Sequence, residues 1–251
     1  MKAFLAALQF LTAIPLPRAL KTPPPAIKDS LPFFPIVGLI IGGLTFFADL
    51  LYTTVFPTPM AAVLTIMTLA ILTGGLHLDG LADTADGLFS VRDRDRILEI
   101  MRDSRTGVMG VLALIFVLLL KISSLLSLTG PWRGLALILA PPAGRGAMIL
   151  MLNTLPYARP EGGLATEFTR RRTLWVAVLS FLVLGGACLL AGGGPGMAVA
   201  ACALLVSAGV NVMVRRRLGG FTGDTLGAAS ELAETAFLVA AAAMLPYLAR
   251  P

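Results

Sequence analysis

Charge is what this chain has least of: of 251 residues only 14% are Asp, Glu, Lys or Arg, against 57% hydrophobic residues and a mean hydropathy of +0.86. Soluble domains carry about 25% charged residues, so a water-soluble domain is excluded. Cysteine is scarce too. Cys188 and Cys202 lie inside apolar stretches with no ligand partner nearby, which points to packing and away from a metal site. The net charge of +6 is spread between hydrophobic runs and forms no single patch, which argues against nucleic acid as a partner. There is one histidine, and where it stands matters below.

What is abundant is long apolar sequence. Seven stretches approach the length needed to cross about 30 Å of hydrocarbon, at about 33–56, 59–78, 107–128, 134–155, 173–191, 196–214 and 231–249. The second ends in an acidic motif and the fourth contains Pro141, Pro142, Arg145 and Asn153, so either is a candidate for a broken or re-entrant span. The first fourteen residues lack a small-x-small cleavage site and read as a short retained helix at the membrane surface. A Pro-rich connector over 15–32 follows. The expected fold is all-α: a polytopic helical membrane bundle of about seven spans, forming a single domain over 1–251.

Basic residues set the expected orientation. With the N-terminus inside, only Arg133 and Arg250 of the 20 Lys and Arg fall in outer segments, and Lys121 and Arg145 fall within spans. The positive-inside rule then favours N-in, C-out, with every motif-bearing loop on the inner side.

The densest chemistry lies in Gly74-Gly75-Leu76-His77-Leu78-Asp79-Gly80-Leu81-Ala82-Asp83-Thr84-Ala85-Asp86-Gly87. On a helix Asp79, Asp83 and Asp86 fall at about 0°, 40° and 340°, one narrow face. Three carboxylates so close repel one another unless a divalent cation or arginines offset the charge. His77, two residues before Asp79, is a candidate catalytic group. A second acidic set, Asp224, Glu231 and Glu234, follows Gly219-Gly220-Phe221-Thr222-Gly223, whose glycines could offer N–H groups to a phosphate at a helix start.

Two basic loops lie between these sets, one ending Arg102-Asp103-Ser104-Arg105, the other carrying Arg159 and ending Arg170-Arg171-Arg172. Carboxylates for Mg²⁺ beside arginines for phosphate oxygens suggest a phosphate-activated substrate. Simpler roles compete. The Arg170–172 and Arg215–217 runs suit topology anchors that touch anionic lipid, 92–96 suits a solvated helix face, and Glu99 and Asp103 suit partners for Arg102 and Arg105. Asp49 and Lys121 would pair or snorkel, while Arg145 is the best intramembrane functional candidate.

The 74–88 run resembles the signature of the cobalamin synthase, or adenosylcobinamide-GDP ribazoletransferase, family. The similarity extends through Phe10-Leu11-Thr12-Ala13-Ile14-Pro15-Leu16-Pro17, Phe34-Pro35-Ile36-Val37-Gly38, Ile100-Met101-Arg102-Asp103-Ser104, Pro156-Tyr157-Ala158-Arg159 and Gly219 to Asp224, with Glu231 and Glu234. The resemblance implies a Mg²⁺-dependent enzyme of the bacterial inner membrane, its site facing the cytoplasm. It would join α-ribazole or its 5′-phosphate to adenosylcobinamide-GDP and release GMP. On that reading His77, Asp79, Asp83 and Asp86 are catalytic, and Asp79, Asp83, Asp86, Asp224 and Glu231 hold metal. Arg102, Asp103, Arg105, Arg145 and Arg159, with Gly220, Thr222 and Gly223, bind substrate phosphate. Membrane lipid and a second copy of the chain are further expected partners. Two alternatives are a CDP-alcohol phosphotransferase, whose motif needs an arginine where Asp83 stands, and a transporter, which would need charges along a pathway.

Overall fold

The computed structural model describes residues 1–17, 20, 29–159 and 174–245. The Arg170–172 run, Arg18, Lys21, Lys28 and Arg250 lie outside the described residues. Nine α-helices make up most of the described residues: α1 (Lys2–Leu11), α2 (Phe34–Val55), α3 (Thr58–Leu72), α4 (Leu76–Leu88), α5 (Arg94–Ile100), α6 (Val108–Ser127), α7 (Pro131–Thr154), α8 (Leu174–Leu218) and α9 (Gly223–Met244). No strand occurs among them, only one isolated bridge between Tyr157 and Phe221. Helices α2, α6, α7, α8 and α9 are long and apolar enough to cross a membrane, and α3 with α4 makes a sixth, bent candidate. The all-α membrane bundle expected from hydropathy is the fold observed.

Proline and glycine set the boundaries. Proline sits in the first turn of α2, α3 and α7, where its missing N–H costs nothing. After α3, Gly74 and Gly75 both take positive φ, 64° and 71°, a pair of conformations that residues with a Cβ rarely adopt in succession. The chain turns by 90° there, so α4 runs across the axis of α3 instead of continuing it and packs on the first turns of α6 and α9. The second expected span is therefore broken.

The fourth is not. Helix α7 runs unbroken through Pro141 and Pro142 and is the central helix, buried almost throughout from Ala136 to Leu152. Those prolines free the carbonyls of Leu137 and Ile138, and Gly42 of α2 sits against both: a Cβ there would come within 2.4 Å of the Ile138 oxygen. Gly38, one turn earlier, meets the Pro142 backbone in the same way. Two glycines four apart thus let α2 approach α7 closely, the usual device for packing helices in lipid.

Helix α8 is two arms, 174–192 and 194–218. Gly193 is non-helical (φ 57°, ψ −141°), matching the backbone of Gly130 at the α6–α7 turn, and each precedes a proline within two residues. The arms fold against one another: a Cβ on Gly185 would touch Met197, and one on Gly196 would strike the Cys188 carbonyl. Large side chains exposed on α2, α6 and α8, among them Phe47, Leu51, Phe116, Leu182 and Leu205, give the bundle an apolar exterior.

The connectors expected on the inner side gather at one end. The segment after α1 returns to α3 through Ala13 N–H to Leu72 O (2.8 Å). Arg94 donates to the carbonyls of Leu218 (2.9 Å) and Ala158 (2.5 Å), and Arg217 donates to Leu88 O (2.9 Å). So two arginines expected as solvated or lipid-facing groups tie loops to helix C-termini, where a cation also meets the helix dipole. At the other end Arg133, expected in an outer connector, makes a buried two-point contact with Asp49 (2.8 and 2.7 Å), and Thr65 also donates to Asp49 (2.7 Å).

Candidate active site

Helix α4 presents two different faces. Asp79 is exposed and Asp83 and Asp86 are half-buried, whereas His77, Gly80, Leu81 and Thr84 are buried. The buried face packs on the start of α9, and glycine makes the approach possible. A Cβ on Gly80 would lie 2.7 Å from the Asp224 carbonyl oxygen, and one on Gly227 would lie 3.1 Å from the His77 backbone. Backbone against backbone, the two helices bring Asp224 into the field of Asp83 and Asp79.

Asp224 is fixed from its own side. Thr222 caps α9 through a reciprocal pair with Thr225 (3.2 and 2.8 Å) and also donates to Asp224 (3.3 Å). The loop 155–159 pairs with Phe221 through Ala158 N–H to Phe221 O and Phe221 N–H to Pro156 O, both 2.8 Å, with the Tyr157 and Phe221 rings packed edge-on. This short pairing delivers Arg159, whose guanidinium contacts Asp224 at 2.8 Å. Arg159 Nε is buried and has no partner among the described residues, a donor that an incoming oxygen could use.

The carboxylates are under mutual strain. Burial, with Asp79, Asp224 and Asp86 nearby, pushes the Asp83 carboxyl up to about 6 despite the opposing pull of Arg159. Among the described residues no three His, Cys, Asp or Glu side chains converge as a ready-made metal cage. The set instead fits Mg²⁺ as it commonly binds, through one or two carboxylates completed by substrate phosphates.

Several sequence expectations are repositioned. Asp86 spans the N-terminus of α6: its two oxygens accept the N–H groups of Gly107 (2.6 Å) and Gly110 (2.8 Å), satisfying donors that the helix start leaves orphaned. His77 does not join the carboxylates. It stands about 200° from Asp79 around the helix, on the buried face, with neither ring nitrogen hydrogen-bonded among the described residues. Arg145 is wholly buried and paired with Glu234, and Glu231 is buried against Lys121 at 2.6 Å, about 10 Å along α9 from Asp224. Both pair inside the bundle, and Arg145 keeps Nε and Nη2 without a partner among the described residues. Gly220 has no room for a ligand, since a Cβ would meet Pro156 O at 2.5 Å, whereas Gly223 is open. Thr222 is taken up by its cap. Asp103 and Arg105 pair with each other (2.6 Å) in the loop that leads into α6, and Arg105 holds the Asp103 carboxyl down at about 2. Arg102 is exposed in the same loop. Glu99 pairs with Arg96.

The expected span at 231–249 begins earlier, since α9 starts at Gly223 and carries its acidic residues within the helix. The contribution of Lys121 was legible only as a lone lysine in an apolar run; its partners required the packing.

The comparisons with known proteins converge on one family. The cobalamin-5-phosphate synthase family model matches residues 3–242. An adenosylcobinamide-GDP ribazoletransferase of Klebsiella pneumoniae (strain 342) is 42% identical over 95% of this chain and 98% of its own length. One of Desulforamulus reducens is 41% identical over 83% of this chain and 84% of its own. No solved structure matches. With its acidic α4 signature and near full-length similarity to these enzymes, the chain belongs to the cobalamin-5-phosphate synthase family.

Proposed function

We propose that this chain is an adenosylcobinamide-GDP ribazoletransferase, acting in the nucleotide-loop assembly step of cobalamin biosynthesis at the inner face of a bacterial cytoplasmic membrane. The observation that carries the site is the meeting of Asp79 and Asp83 on α4 with the Asp224–Arg159 pair at the start of α9. A ribose hydroxyl oxygen of α-ribazole, or its 5′-phosphate, attacks the phosphorus attached to cobinamide. That P–O bond forms as the bond to the bridging diphosphate oxygen breaks, and GMP leaves with that oxygen. The hydroxyl proton goes to Asp83, whose carboxyl near 6 suits a base at neutral pH. Asp79 and Asp224 would hold Mg²⁺, which when bound supplies charge neutralisation on the diphosphate. Arg159 holds a phosphate oxygen through the donors it does not spend on Asp224. Asp86 keeps the α6 start, and with it the Arg102–Arg105 loop, against this face.

With α3 and both arms of α8 counted as crossings, seven spans result, N-in and C-out, and the inner connectors share the end that holds the carboxylates. Purified protein in lipid, given adenosylcobinamide-GDP, α-ribazole and titrated Mg²⁺, is expected to release GMP and form adenosylcobalamin in equal amounts. A folded sample without turnover rejects the reading.

Cation binding should depend on pH with a defined sign. The folded-state Asp83 carboxyl lies above its ordinary value of 3.8, so its stabilising contribution is complete below that value and is lost as pH rises through about 6. Ionised Asp83 adds charge that a divalent cation offsets. Saturating Mg²⁺ is therefore expected to raise the melting temperature more at about pH 7.5 than at about pH 5.5. An equal rise at both contradicts a cation beside Asp83.

A further inference from the structure

We propose that Lys121, Arg145, Glu231 and Glu234 form a positioning quartet that fixes the rotation and axial register of α9 against α4, and so the placing of Asp224 opposite Asp79 and Asp83. Lys121 comes from α6, Arg145 from α7, and both glutamates from α9. Lys121 Nζ lies 2.6 Å from Glu231 and 3.0 Å from Glu234, and Arg145 pairs with Glu234 from the other side. None of the four is more than 5% exposed. Two neighbouring helices thus grip one helix at two points a single turn apart.

Stability alone is a poor reason for this arrangement. Buried ion pairs are often replaced by apolar residues of similar volume at no cost, and charges inside a membrane bundle are expensive to keep. What apolar residues cannot supply is direction. Leucines tolerate a helix sliding or turning past its neighbours, whereas a cation held between two glutamates has one register.

The register reaches the site. Asp224 is seven residues before Glu231, so the two lie within about 20° on the helix, and a one-residue slip would move Asp224 by about 1.5 Å. Glycines keep the helices close enough for such a slip to matter. A Cβ on Gly144 of α7 would strike Ser230 and Glu234, and Gly80 and Gly227 seat α4 on α9. Leu78 of α4 lines a small cavity together with Lys121 and Glu231, and the His77 backbone meets Gly227, which sets the quartet beside the carboxylate helix. The quartet does not touch substrate; it acts through α9.

The inference rests on the transferase reading, and its test separates the two. Two charge-neutral doubles, K121M/E231Q and R145M/E234Q, remove one pair each without leaving a net buried charge. In lipid nanodiscs both are expected to keep the wild-type melting temperature within a few degrees. Turnover per folded molecule should fall about 10–100-fold with KM little changed, since small misplacements of reacting groups act on the rate. K121R, which keeps the charge, should recover part of that loss and serves as the deciding variant if neither double folds. Spin labels at Phe89 and Val239, with both native cysteines changed to serine, report the α4–α9 distance independently of turnover. A shifted or broadened distribution in the variants is expected. Folded variants with wild-type kcat and an unchanged distribution overturn the proposal. Wild-type protein that lacks turnover rejects the transferase reading instead, and the distance measurement still decides the quartet.

Discussion

Replacing Asp83 with asparagine is expected to lower GMP release by about 10³-fold or more while leaving the melting temperature unchanged or raised. The two halves of this result come from one cause. The Asp83 carboxyl is held near 6 by burial and by three neighbouring carboxylates, so ionising it at neutral pH works against the fold. Asparagine keeps the shape and removes the charge, which relieves Asp79 and Asp224. The same change removes the proton acceptor and one charge from the cation site. Asp86→Asn makes the contrast. There the carboxylate accepts two backbone N–H groups at the start of α6, and losing that charge weakens the cap. Melting curves and initial rates in the same lipid check both variants. A stable D83N enzyme with near-normal Mg²⁺-dependent turnover would remove Asp83 from the chemistry.

Gly80→Ala is expected to be nearly as damaging through a single methyl group. Its Cβ would sit 2.7 Å from the Asp224 carbonyl oxygen and 3.0 Å from the Asp224 Cα, both backbone atoms that cannot rotate away. The helices must part by several tenths of an ångström. Overpacking of this kind costs about 1–3 kcal/mol. The larger effect falls on rate, because the displaced atoms belong to the residue carrying the third carboxylate; a loss of about 10²-fold in kcat is expected. Gly223→Ala, where a Cβ meets nothing within 4 Å, gives the steric comparison one residue from Asp224. If G80A keeps wild-type kcat and melting temperature, the close seating of α4 on α9 is not what sets the site.

The spacing of Asp79, Asp83 and Asp86 gives a common helical face by arithmetic, and α4 is a helix with that face outward. The same arithmetic places His77 on the opposite face. Nearness in sequence to Asp79 does not bring it to the carboxylate face, because two residues along a helix is about 200° of rotation. The break after α3 is legible in Gly74-Gly75, and the reversal within α8 in Gly192-Gly193-Gly194-Pro195, since these residues permit backbone that others resist. The start of α9 was obscured for the opposite reason. Asp224, Glu231 and Glu234 lower its hydropathy, and only their buried partners show why the helix can carry them.

By itself, then, the sequence determined a helical membrane bundle, the glycine and proline breaks in it, and the family to which its motifs belong. These follow from local properties: hydropathy over a span's length, helical periodicity, and the permissiveness of glycine and proline. The tertiary structure alone decided which charges meet. Asp224 comes beside Asp79 and Asp83 because Gly80 and Gly227 let two helices touch, and Arg145 and Glu231 pair with Glu234 and Lys121 inside the bundle. Pairing between residues about 90 to 150 positions apart depends on how helices pack and rotate, a property of the assembled bundle that no local pattern encodes.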